Sequence, residues 1–266
     1  MLGFLVRRLG QGALVLVLIS LITFFLINLA PGGPSAASRF ETTAEERAAL
    51  TKQLGLDQPL VTRYGQWAGN LVQGDFGVTL NGGQPIGPIL RQRLGNTAQL
   101  GLSALLLSVV IGIPLGILTA MRRNSALDHV VNAITTLGMS IPDFWTGIMA
   151  ILLFSVVWKV LPSSGLYDAS AGFSATGWLQ HMILPAGVLA FVMLPNLVRF
   201  TRSSLLEVLG MDYLRTARAK GVREQRVIAK HALRNAFVPI IAMVGLILPA
   251  LLSGSVIIES VFGLPG

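Results

Sequence analysis

The chain has 266 residues, 53% of them hydrophobic and only 12% charged, with a mean hydropathy of +0.69. A soluble domain carries roughly 25% charged residues, so this composition excludes an ordinary soluble enzyme and indicates a polytopic membrane protein. The net charge of +8 reads as Lys and Arg kept on the cytoplasmic side rather than as a nucleic-acid footprint, and the absence of cysteine excludes disulfides and thiolate metal sites.

Arg7 and Arg8 precede an uncharged run from Leu9 to Leu29, roughly 30 Å long as a helix and so one hydrocarbon thickness. A signal peptide is the rival reading, but its apolar stretch is usually about 7–15 residues, shorter than this one. Pro31-Gly32-Gly33-Pro34 then signals a turn. Thr43 to Leu54 reads as a short helix, with Thr43 as its cap and Glu45 and Glu46 in its first turn. Gly74, Gly77, Gly82 and Gly83 mark loops around Asp75-Phe76-Gly77. The segment 31–95 is too small and loop-rich for an independent domain and is expected to cap the outer surface.

Asn96 to Met121 forms the second span, with Gly112 and Gly116 four apart and Pro114 between them. Small residues at that spacing let helices approach closely, with ordinary packing as the simplest use. Val130 to Trp158 holds the third span, with Pro142 and Asp143 in its interior. Ile183 to Val198 is the fourth, with Pro185 and Pro195, and Phe237 to Ile258 is the fifth, with Pro239 and Pro249. Proline is tolerated inside spans because neighbouring helices satisfy the freed carbonyls, and so many of them suggest kinked, gate-forming helices. The division expected is a cytoplasmic N-terminus and first span at 1–30, the outer segment 31–95, a transmembrane core at 96–260 and the start of an outer loop at 261–266.

The basic residues orient these spans. Arg7, Arg8, Arg122, Arg123 and nine Lys or Arg between 199 and 235 fall on one side. The other side holds seven, six of them in one connection too long for the rule to count reliably. The N-terminus and the 199–235 loop are therefore expected in the cytoplasm.

That loop is the most informative stretch. Asp212 is placed to cap a helix and Gly221 to end it in the left-handed conformation. A helix of about nine residues lies between them, with small Thr216, Ala217 and Ala219 on its surface. Tyr213 and Ala217 share a face, as do Leu214 and Ala217. Arg223 to Arg234 reads as a second amphipathic helix leading into the fifth span. Basic charge alone would do no more than neutralise lipid phosphates; a capped helix with a small-residue face and a glycine stop suggests a surface offered to a soluble partner. The chain has no G-x-x-x-x-G-K-[ST] phosphate loop, no G-x-S-x-G and no H-E-x-x-H, so membrane catalysis has no support and no nucleotide binds by that route.

The loop resembles the signature of bacterial ABC-importer permeases, Glu-Ala-Ala-x-x-x-Gly-x9-Ile-x-Leu-Pro. Arg215-Thr216-Ala217 stands at the triplet, Gly221 at the glycine, and His231-Ala232-Leu233-Arg234 follows after nine residues. Ala217, Gly221 and Leu233 match, whereas Arg215, His231 and Arg234 depart in the manner of dipeptide/oligopeptide-type permeases. Arg7-Arg8-Leu9, Leu54-Gly55-Leu56-Asp57-Gln58-Pro59, Gly74-Asp75-Phe76-Gly77, Ile111 to Gly116 and Ile258-Glu259-Ser260-Val261-Phe262 carry the same likeness in order along the chain.

The resemblance implies an all-α polytopic type I ABC-importer fold, forming half of a pore for di- or oligopeptides. It implies as partners a second homologous permease, two cytoplasmic ATPases, an extracytoplasmic binding protein and membrane lipid, with no nucleic acid. This chain would bind no cofactor, ATP and Mg belonging to the ATPases. The coupling residues implied are Asp212, Tyr213, Arg215, Thr216, Ala217, Ala219, Lys220 and Gly221. The family pattern continues beyond Gly266 to a sixth span and a cytoplasmic end, which this sequence does not include.

Asp143 stands where the family usually has a small polar residue. It either lines the pathway and meets the substrate's amino group, pairs with a buried polar neighbour, or sits at the interface if the span is shifted. Glu259 reads as a gate or interface residue, or as an anchor for the adjoining loop. The alternatives kept open are the same architecture importing a nickel chelate or another small solute, a secondary transporter, for which no clear inverted repeat is visible, and a membrane enzyme or signalling anchor, which would need a catalytic constellation or an appended domain.

Overall fold

The computed structural model describes residues 2–30, 58–79, 83–168 and 172–266. The expected Thr43–Leu54 helix, the turn at 31–34 and Gly82 lie outside them. The described residues are helical with no named strand, and divide into a unit of 1–91 and a larger one of 92–266.

The first unit holds α1 (Leu2–Leu29) and α2 (Leu60–Val72). Phe24 of α1 packs edge-on against Tyr64 at 5.4 Å and lies 5.7 Å from Trp67. Ser20 and Tyr64 share a hydrogen bond of 2.9 Å, and Arg63 donates to Asn28. Pro59, with no N–H to strand, precedes α2. Beyond it Asp75 Oδ1 accepts from the Gly77 amide at 2.8 Å, and Val78 bridges Pro85. The α2 helix was not expected from sequence.

The second unit begins within α3 (Ile86–Met121) and continues through α4 (Ala126–Ser140), α5 (Asp143–Ala150 with a wider π-helical continuation Ile151–Val157), α6 (Ala175–Leu209), α7 (Asp212–Ala219), α8 (Glu224–Arg226 with a π-helical turn Val227–Ala232), α9 (Leu233–Gly254) and α10 (Val256–Val261). Among the described residues four helices are long and apolar enough to cross a membrane, and a fifth crossing follows if α4 and α5 count as one.

The third span is not continuous: α4 and α5 meet at 102°. Proline disfavours a helical residue before it, so Ile141 is extended (φ −94°, ψ 127°) and Pro142 becomes the residue preceding α5. Asp143 thus opens a helix instead of lying within one. The fourth span extends well past 183–198, as α6 has 35 residues. The second loop helix is not separate either, since α8 runs into α9 as one helix from Glu224. The fifth span closes at Gly254, leaving Glu259 on α10.

Two apolar clusters hold this unit. One gathers Leu100, Ala104, Leu184, Leu189, Ile258 and Phe262. The other joins Ala120, Leu205, Leu214, Val227, Ala232 and Ala236 at the 199–235 loop. Gly112 and Gly116 are used within the chain, where α3 meets α6. A Cβ on Gly116 would stand 2.6 Å from Thr201 Cβ and 2.8 Å from the Val198 carbonyl oxygen, so only glycine allows this approach.

Candidate functional site

The expected 199–235 loop is helical as far as Leu209, the end of α6, and the chain turns at Gly210 into α7. Met211, not Asp212, precedes α7, and no side chain caps it. Asp212 is the first helical residue, pointing to solvent at 92% exposure, with Arg215 Nη1 3.4 Å away. There its charge still favours the positive end of the helix.

The other end follows the sequence expectation. Gly221 has φ +77°. Its amide donates to the Arg218 carbonyl at 2.9 Å, and the Val222 amide to the Ala217 carbonyl at 3.2 Å. This bond pair is the Schellman motif, and Val222 and Ala217 both pack against the apolar cluster beneath it.

Leu214 is wholly buried among Leu205 of α6, Ala236 of α9 and Ala120 of α3. Ala217, one turn on, is half-buried against the same cluster. The apolar face of α7 is therefore spent on its own chain, and Ala217 is not on the open surface. Asp212, Arg215, Thr216 and Ala219 are exposed on the opposite side, flanked by Lys220. Thr216 donates back to the Asp212 carbonyl at 3.0 Å, and Asn235 of α9 donates to the Tyr213 hydroxyl at 2.8 Å. Arg218 forks onto Glu224 across the glycine turn, at 3.0 and 2.8 Å. The hydrogen bonds to that carboxylate raise the Arg218 pKa.

Sequence reasoning missed a second charge pair. Arg202 of α6 donates to both carboxylate oxygens of Asp128 in the first turn of α4, at 2.8 and 2.7 Å. The Asn124 amide and the Asn132 side chain add donors at 3.0 and 2.7 Å, and Ser125 accepts from the Asp128 amide. The Asp128 side chain is 3% exposed. One signal was available: Asp128 is the sole acid in the basic connection 121–129.

The other two expected site residues lie apart from α7. Asp143 is half-buried, and its carboxylate makes no hydrogen bond or ion pair among the described residues. Glu259 is buried and accepts from Ser255 Oγ at 2.9 Å, while its carbonyl accepts from the Leu264 amide at 2.8 Å. A cavity of about 660 Å³ opens between α4, α6 and α9, where Asn132, Asn196, Arg199, Arg202 and Ser203 share the walls with Met139, Phe200 and Met243. Among the described residues no three His, Asp or Glu gather as a metal site.

Two family models match the chain. Residues 112–266 match the binding-protein-dependent transport system inner membrane component, and residues 1–94 its N-terminal counterpart. An oligopeptide transport system permease protein, AppB of Bacillus subtilis, is 37% identical over 268 residues, covering all of this chain and 85% of the relative. The dipeptide transport system permease protein DppB of Escherichia coli is 38% identical over 289 residues with the same coverage. With its long apolar helices, the chain belongs to the family of binding-protein-dependent transport system inner membrane components and is a multi-pass permease subunit.

Proposed function

We propose that the chain forms half of a peptide-importing pore and takes its drive from a cytoplasmic ATPase seated on the outward face of α7. The anchoring of α7 carries this reading. Leu214 is buried in one apolar cluster with Ala120 of α3, Leu205 of α6, Val227 and Ala232 of α8 and Ala236 of α9, so a displacement of α7 would be passed through that cluster to the spans. A ligand moves a conformational equilibrium only by binding one state better, and a rigidly footed helix lets nucleotide-driven closure distinguish inward-open from outward-open packing.

Asp212, Arg215, Thr216, Ala219 and Lys220 would meet the ATPase, with Tyr213 at the edge. Ala217 and Gly221 would set the shape of the helix from behind. ATP and Mg would belong to the ATPases. The N-terminus and the loop would be cytoplasmic, and an extracytoplasmic binding protein would deliver peptide, as the names of the relatives suggest. Asp143, a half-buried carboxylate without a partner among the described residues, would face the pathway and the peptide's amino group. Glu259, held by Ser255, would anchor the turn that follows α10.

The test places Ala219→Cys in a chain with no native cysteine, assembled with its second permease, ATPases and binding protein. A crosslink to an ATPase whose yield changes with ATP is the expected result. No crosslink in an assembled, transporting complex would show that α7 is not the coupling surface.

A further inference from the structure

We propose that Arg199 binds the terminal carboxylate of the transported peptide at the inner end of the pathway, an inference that rests on the peptide reading above. Arg199 is exposed in the cavity between α4, α6 and α9. Among the described residues its side chain donates from Nη1 to the thioether of Met139 at 3.7 Å and has no carboxylate partner. The cavity's other guanidinium, Arg202, is already paired with Asp128.

The walls favour an oxyanion. Asn196, Arg199 and Ser203 stand at i, i+3 and i+7 on α6 and so share one face, and Asn132 completes it from α4. A face with two amides and a hydroxyl, running into an apolar span, belongs against water or protein rather than lipid tails. No acid lines the cavity among the described residues. A guanidinium presents a planar fork that matches a carboxylate, and Arg202 shows that fit one turn away on the same helix at 2.8 and 2.7 Å.

The experiment reconstitutes the whole importer in vesicles, with and without phosphatidylglycerol. Uptake of trialanine and of its C-terminal amide is compared, each saturating the binding protein, for wild type, Arg199→Gln and Arg199→Lys. Loss of one charge-assisted hydrogen bond predicts roughly tenfold slower free-acid uptake in Arg199→Gln, partial recovery in Arg199→Lys and unchanged amide uptake. ATP hydrolysis by the assembled complex should persist. Equal losses for acid and amide would make Arg199 a structural or subunit-interface residue and overturn the inference. So would an effect confined to phosphatidylglycerol vesicles, which would assign Arg199 to a lipid phosphate. Normal free-acid uptake by Arg199→Gln overturns this inference alone, whereas no peptide uptake by an assembled, ATP-hydrolysing wild type overturns the peptide reading itself.

Discussion

The chain closes two parts of its basic end with the same chemistry, an arginine forked onto a carboxylate, but in opposite environments. Arg202–Asp128 joins helices 74 residues apart, with the acid 3% exposed. Arg218–Glu224 spans six residues across the Gly221 turn, with side chains 37% and 56% exposed. The first pair fixes α4 against α6, because a desolvated carboxylate cannot be left alone. The second trims a turn that its backbone already makes. Thus α4 is held to α6 by charge, whereas α7 is held by an apolar foot and a backbone cap that leave its charges facing out.

The sharpest way to break this contrast is Arg202→Ala, which strands the buried Asp128. Removing one partner of a buried pair costs about 3–5 kcal/mol, expected as a large fall in the melting temperature of the purified complex. Replacing both partners with apolar residues should recover much of that loss; if the double variant is worse than either single one, the pair is not the clamp. Leu214→Ala comes next, with a cost of about 2–5 kcal/mol for emptying a buried site. Because the lost contact is the foot of α7, ATP hydrolysis should persist while uptake falls. Hydrolysis and uptake declining in proportion would show that the foot only stabilises.

Gly221→Ala forces a Cβ into a left-handed residue at φ +77°, a cost of about 1–2 kcal/mol. Gly221→Asn should cost less, since Asn tolerates that region; equal losses would mean that the cap conformation is not what the glycine provides. The smallest effect belongs to Arg218→Ala, an exposed pair that salt screens. No change in melting temperature is expected at ordinary ionic strength, and a fall comparable to that of Arg202→Ala would erase the distinction.

What the sequence made legible was local. Hydropathy runs located the spans, and Gly221 announced its own cap, because a left-handed residue is a property of one position. The face of α7 was harder: spacing put Leu214 and Ala217 together but did not say that they point inward, which Leu205, Ala236 and Ala120 decide. The bend at Pro142 was signalled by a residue that also occurs inside continuous spans, as Pro114 does in α3. Asp128 stood out as a lone acid in the basic connection 121–129, but its partner Arg202, 74 residues on, leaves no mark in a single sequence. Of the candidate residues, Asp143 and Glu259 differ in the structure only through what surrounds them, one without a partner and one held by Ser255.

At 35 residues, α6 is roughly 52 Å long, against about 30 Å of hydrocarbon. It is a lever longer than the barrier it crosses. From the buried Pro195 to Leu209, beside the foot of α7, the arm is roughly 21 Å. A tilt of about 10° at that proline would carry the arm's end sideways by about 4 Å, roughly two-thirds of the helical pitch of about 5.4 Å. On the proposed coupling, a modest pull on α7 would thereby become a displacement large enough to change which side chains face one another inside the membrane.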